Sequence, residues 1–448
     1  MKGIRLLSFM LLAVVLVISG CAGEKGTTES GKNAGQETDK STGTEERNGV
    51  GDEKVTIRMS YFAGSQATID LTNQIIELFM KKYPHIFVET EFANYESYFE
   101  KLSVQAASNS LPDIIRQDYA FIAQYAEKGL LMPLDEQIAS GKIDMTDVHP
   151  SNLEGGIVDG GMYGINIGNN AITLIYDPAS FEQAGVKPPH EHWTWEDYEQ
   201  AVLTLHEQTG LYGDSHQTFP SFGIFLRQHE QHLYNEDGTA LGYEDDKLFI
   251  DFYEMQMRLQ KANAISSVAE EMESKGLEDN VFATKKSAMG TFFSNNMENL
   301  QKMRGSSLAM SMLPGSGEGN GMYVKPSQFM SIAQSSKNPE EAALFIDFWI
   351  NDIEANKRMN TYFGFPYAPK VIEAMEPHFT DAQKKIAEYL ETVQKYAAPI
   401  DPPDPNRASE VTKLLTNVSQ EYFFDRISVQ EAAAKFRESA NAILAKNK

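Results

Sequence analysis

The chain has 448 residues, 63 of them acidic against 39 lysines and arginines, for a formal net charge of −24. So acidic a body repels nucleic-acid phosphates and anionic headgroups, which argues against a nucleic-acid role. One cysteine among 448 residues leaves no disulfide framework and no cysteine-based metal cluster.

The first element is the greasy run Leu6 to Ile18, 13 residues preceded by Lys2 and Arg5. It is too short to cross a bilayer core comfortably and reads as a secretory signal peptide over residues 1–20. Its removal takes away two cations and no acid, moving the net charge from −24 to −26. Val17-Ile18-Ser19-Gly20-Cys21 resembles the lipobox of bacterial lipoproteins, which implies that Cys21 carries the lipid (a diacylglycerol with palmitate-type chains). The other reading is an ordinary signal peptide with an incidental cysteine. After Cys21, residues 22–54 hold Val50 as their one large aliphatic side chain, among Gly, Ser, Thr, Glu and Lys. Such a segment cannot bury enough surface to fold, so 21–54 is expected to be a tether of about 30 Å reach. The expected location is the extracytoplasmic face of a cell membrane, lipid-anchored, in a single-membrane (Gram-positive) bacterium.

The body begins at Val55, and its roughly 390 residues suit two lobes better than one core. Val55–Tyr61 alternates as a strand does, Gly64 breaks it, and a helical pattern with Ile69, Ile76, Phe79 and Met80 on one side runs to Tyr83, where Pro84 stops it. Ile86–Phe92 is the next strand, Tyr95–Ala107 the next helix, and Leu111–Asp118 a short strand. A helix from Phe121 to Lys128 ends on Gly129. Strand–helix alternation predicts an α/β fold with a largely parallel sheet and helices on both faces. Ligands of such sheets sit beyond the carboxyl ends of the strands.

The segments Pro84–Asp118, "DGGMYGINIGNNAITLIYDPASFEQAGVKPP", "WTWEDYEQAVLTL", "KKSAMGTFFSN", "MSIAQSSKNPEEAALFIDFWIND" and "FGFPYAPK" resemble, in order, blocks of the family 1 extracellular solute-binding proteins of ABC importers that bind oligosaccharides. "EFANYESYFEKL", "NEDGTALGYEDDKLFIDFYEMQMRLQKA" and "IDPPDP" look most like members that bind pectin-derived rhamnogalacturonan oligosaccharides. The resemblance implies a two-lobed periplasmic-binding-protein-like fold (type II) with its cleft between lobes. One lobe would be 55–164 plus about 327–365, the other about 165–326 plus 366–448. It also implies a monomer, without cofactor or metal, that hands an oligosaccharide to the transmembrane subunits of an ABC permease.

Sugar recognition calls for aromatic rings against C–H faces and for amides, carboxylates or arginines on hydroxyls. At strand ends and breaks these are Tyr61, Phe62, Gly64, Asp118, Asn169, Asn170, Phe292, Phe293, Asn295 and Gln328. A uronate would also need a cation, and Arg116, Arg227 and Lys325 lie beside those segments. Each has a plainer role: the phenylalanines as core, the asparagines as turn formers, Asp118 as a helix cap, the cations as partners of nearby acids. Thr194 and Asp197 fit a capping box with Trp193 stapled on Tyr198, and Trp349 falls on the apolar side of a helix begun by Pro339. Catalysis finds little support: His229-Glu-Gln-His232 is one residue short of a zinc-protease spacing, and no phosphate loop or nucleophile elbow is present. A lipid-anchored glycan hydrolase and a binder of a neutral oligosaccharide remain the alternatives. If Cys21 carries the lipid, Cys21→Ser moves the protein from the membrane fraction to the medium or leaves its signal peptide uncleaved; unchanged detergent-dependent partition would refute the anchor.

Overall fold

A computed structural model describes Lys54–Asn447 apart from Thr218, Lys275, Gly319 and Asn320. Cys21, the expected signal peptide and nearly all of the expected tether lie outside the described residues. In chain order the strands used below are β1 Val55–Phe62, β2 Ile86–Ala93, β3 Ile114–Gln117, β4 Ile165–Asn166, β5 Asn169–Asn170, β6 Ile172–Tyr176, β7 Met289–Phe293, β8 Ala309–Ser311, β9 Lys325–Pro326 and β10 Phe329–Ile332.

The first sheet has the order β2-β1-β3-β10-β4. Its opening strands are parallel, as the alternation predicts, with Val55 opposite Ile86 and Met59 opposite Ile114. The returning strand β10 runs antiparallel to both β3 and β4, a departure from the expected parallel sheet. It enters from a distant part of the chain, so no local crossover fixes its direction. The second sheet, β8-β6-β7, is antiparallel throughout.

Helix starts follow the sequence closely. Ser65 caps Gln66–Lys82, Asn94 caps Tyr95–Ala107, and Asp118 caps Tyr119–Glu127, two residues earlier than the expected start. Thr194 and Asp197 form the reciprocal capping box of Trp195–Thr209, with the Trp193 ring 5.8 Å from Tyr198. Trp349 is fully buried in Pro339–Asn351.

One apolar cluster runs without a break from Ile57 and Met59 of β1, through Ile167 and Ala171, to Leu308 and Met312 beside the second sheet. It passes through a braid of three chain crossings. Asn169 pairs with Pro326 across the β5–β9 ladder, and it also exchanges backbone hydrogen bonds of 2.8 and 3.0 Å with Phe365. Ser327 N–H donates to Gly168 carbonyl at 2.8 Å.

At the centre the backbones touch. A Cβ on Gly168 would stand 2.7 Å from the Phe363 carbonyl oxygen and 2.8 Å from the Gly364 Cα; one on Gly364 would stand 2.8 Å from the Gly168 carbonyl carbon. Gly364 also has φ +110°, a conformation side chains rarely adopt. Gly364→Ala therefore combines backbone strain with overpacking and should cost on the order of 3 kcal/mol in chemical denaturation. Gly223→Ala, in a helix with open space at its Cβ, is the contrast: it should stabilise by up to about 1 kcal/mol.

Candidate functional site

The carboxyl end of β3 leads into Tyr119–Glu127, whose Tyr119 meets Asp401 of the Ala397–Arg407 segment, while Asn152 links the braid to Gln394; this boundary is the seam. At its outer edge Phe62 is half-buried, packed edge-on to Tyr95 at 5.2 Å and to Tyr98 at 5.5 Å. Asp118 accepts from Ala120 N–H at 2.9 Å, which is the helix-cap role. It also faces Tyr95, whose phenol is pushed up to about 12, first by burial and then by the Asp118 charge and hydrogen bond. Gly64 is exposed with nothing within 4 Å of a Cβ position.

Tyr61 turns to the opposite face of β1 and is fully buried. Beside it lies Arg116, also fully buried, its guanidinium 5.6 Å from the Tyr61 ring centroid and 4.8 Å from those of both Trp349 and Phe363. None of the three Arg116 side-chain nitrogens meets an acceptor among the described residues, and the Tyr61 hydroxyl and Trp349 indole N–H are likewise unpartnered. Burial lowers Arg116 to about 10, since the cage strips its water and supplies only π faces in return.

At the braid, Asn166 donates to Asn169 Oδ1 at 2.5 Å, and Asn169 donates to Asn152 Oδ1 at 2.5 Å. Asn169 is thus buried and committed to the crossing. Asn170 pairs with Lys325 across the ladder. Lys325 Nζ lies 5.9 Å from the ring centroid of Phe293, at the end of β7. Phe292 packs on Phe282 at 5.7 Å, and Asn295 is exposed in the Ser294–Asn296 turn. The Gln328 carbonyl accepts from Ile167 N–H, while its side-chain oxygen has no described partner.

Arg227 is engaged inside the protein. Only 4% exposed, it donates from Nε to Gly321 carbonyl at 2.9 Å, from Nη2 to Pro399 carbonyl at 2.7 Å, and from Nη1 to the Asp401 carboxylate. His232 Nδ1 meets the same carboxylate oxygen at 2.8 Å. Across the seam, the Tyr119 hydroxyl donates to the Asp401 carbonyl, joining the neighbour of Asp118 to the segment that Arg227 holds.

The structure therefore groups the predicted residues in three places: Phe62, Gly64 and Asp118 at the sheet edge; Asn169, Asn170, Phe293, Lys325 and Gln328 at the braid; Arg227 behind Asp401. It also brings forward aromatic residues not singled out from the sequence. Phe92 is 49% exposed, Tyr95 42% and Tyr362 50%, and the Tyr362 hydroxyl shares a 2.9 Å hydrogen bond with Thr68. Phe92 and Tyr95 flank the end of β2, and the strand-end rule applied to β1 and β3 would have found them there. Nothing local marks Asp401, whose role depends on an arginine 174 positions away.

Comparisons with known proteins agree with this architecture. Residues 65–355 match the family of bacterial extracellular solute-binding proteins. A family 1 extracellular solute-binding protein of Alicyclobacillus acidocaldarius is 30% identical, with a TM-score of 0.81 over 88% of this chain and 99% of that one. A periplasmic oligogalacturonide-binding protein of Yersinia enterocolitica superposes with a TM-score of 0.72 over 88% of this chain and 99% of that one, at 19% identity, a likeness of fold alone. Among curated sequences, a binding protein of Brucella abortus is 22% identical over 41% of this chain; the match spans 45% of that relative's length, under half of it. A family match over residues 65–355, well over half of the chain, and a 30% identical structure matched almost end to end make the chain a member of the bacterial extracellular solute-binding proteins.

Proposed function

We propose that the protein captures an oligosaccharide in the seam between its two lobes and delivers it to the transmembrane subunits of an ABC permease, held at the membrane by a lipid on Cys21. The observation that carries the sugar reading is the presence of half-exposed rings, Phe92 and Tyr95 at the end of β2 and Tyr362 beside Thr68, together with polar groups left unpartnered or half-used at the end of β3, Gln328 and Asp118. Rings of that exposure offer faces to sugar C–H groups, and the polar groups answer hydroxyls. Capture, rather than hydrolysis, suits a site built at a braid about which lobes can close. The likeness to rhamnogalacturonan binders makes pectin-derived oligosaccharides, both neutral and uronate-bearing, the first ligands to try.

A thermal-shift screen across plant-wall oligosaccharides tests the capture, because a ligand bound only by the native state raises its stability by mass action. The bound sugar should also lower the radius of gyration in solution, and it should be recovered intact. A saturating ligand that leaves the scattering unchanged counts against closure, and shortened products would favour the hydrolase. Asp118→Ala should cost about 1 kcal/mol of stability through the lost cap. If the carboxylate also bonds sugar hydroxyls, affinity falls by a further 1.5–3 kcal/mol or so, read by calorimetry.

A further inference from the structure

Resting on the oligosaccharide reading, we infer that the cleft selects uncharged sugars and disfavours uronate-bearing ones. A uronate carboxylate needs a cation with free donors, best an arginine whose planar fork can meet both oxygens. Neither arginine near the seam offers that fork. Arg227 has committed all three side-chain nitrogens, to Gly321, Pro399 and Asp401, and the Tyr323 ring lies 5.1 Å from its guanidinium carbon. Arg116 has free donors, but it is sealed at 0% exposure among Tyr61, Trp349 and Phe363, out of reach of a ligand in the cleft.

What the seam does present is negative. Asp118 stands on one side; on the other the Asp401 carboxylate is already paired with Arg227 and His232, which leaves Asp404, three positions further along and beside Lys325, as the second acid there. The potential is legible in the neighbouring groups. Desolvation first, and then the Asp401 charge, push the Asp404 carboxyl up in spite of Lys325. The Tyr119 phenol is raised by burial and then by Asp401 and Asp404, and the Tyr234 phenol by burial and then by Asp404. Burial is the first cause of each shift, and the neighbouring acids add to it in the same direction, so an unpaired carboxylate placed here would meet both desolvation and like charge. Lys325 alone, a point charge shared with Asp404, does not reverse that field, and the −24 charge of the whole chain adds to it at long range. Neutral sugars meet no such penalty, since hydroxyls donate readily to carboxylates.

The test is calorimetry on the full chain with two matched sets of probes, at low and high salt. One set holds neutral galactan, arabinan, xylan and glucan oligosaccharides; the other holds oligogalacturonates of the same lengths. The expected result is a neutral ligand whose affinity is flat with salt, and oligogalacturonates at least ~10-fold weaker that improve as salt screens the repulsion. Asp404→Asn should narrow that gap. Arg227→Met should lower thermal stability without sugar by unpairing Asp401, which reads its structural role; selectivity is decided by the wild-type and Asp404→Asn comparisons. Oligogalacturonate binding that is as tight as or tighter than neutral binding and weakens with salt overturns this inference and leaves the oligosaccharide reading intact. Binding by neither set overturns both.

Discussion

The constraint on which the rest depends is the crossing of Gly168 and Gly364, where two backbones meet with no room for a side chain on either. From it the rest is placed. The Gly168 carbonyl receives Ser327, which sets the third crossing and so the register of β10 against β3 and β4. Phe363, next to Gly364, supplies one wall of the Arg116 cage, so the same contact fixes a cation beneath the first sheet. Asn169, one residue past Gly168, carries the amide relay on from Asn166 to Asn152.

Charge inside this protein is handled in two ways, and the difference is instructive. Arg304 is buried like Arg227, and both answer with an acid and carbonyls: Asp177 at 3.0 Å with Phe282 and Ser287 for one, Asp401 with Gly321 and Pro399 for the other. Arg116 has only rings. Cation–π contacts reach about 2 kcal/mol each when desolvated, so three of them can offset part of a burial penalty of several kcal/mol for an ion. A lysine in that cage would keep the charge and lose the flat stacking surface that lets three rings share it.

Much of this was legible in local sequence, and for local reasons. The capping box at Thr194, the helix Tyr95–Ala107 and the buried Trp349 all follow from spacing within one or two turns. The parallel start of the first sheet followed from strand–helix alternation; the antiparallel β10 did not, because its direction is set by a partner more than 200 residues distant. The same limit applied at the seam. Strand ends pointed to Tyr61 and Phe62 together, yet alternate residues face opposite sides, so one is entombed and the other half-open. Exposure of Phe92 and Tyr362, and the capture of Arg227 by Asp401, depend on segments that meet only in the folded chain.

The continuity of the apolar core through the crossings limits how such a body can move. Large side chains interlocked on both sides of a moving boundary would have to repack, and interiors near crystal density resist that. The apolar cluster passes the boundary at Ile167 and Ala171, beside a glycine pair with no side chains to interlock. Further out, the seam is spanned by polar contacts such as Tyr119 to Asp401 and Gln394 to Asn152 at 3.3 Å, each worth only about 1 kcal/mol net. A ligand that touches both sides needs a preference of only a few kcal/mol for the closed arrangement to decide between open and closed. On the proposed capture, the tight crossing would serve as the fixed point and the weaker polar contacts of the seam as the part a ligand could rearrange.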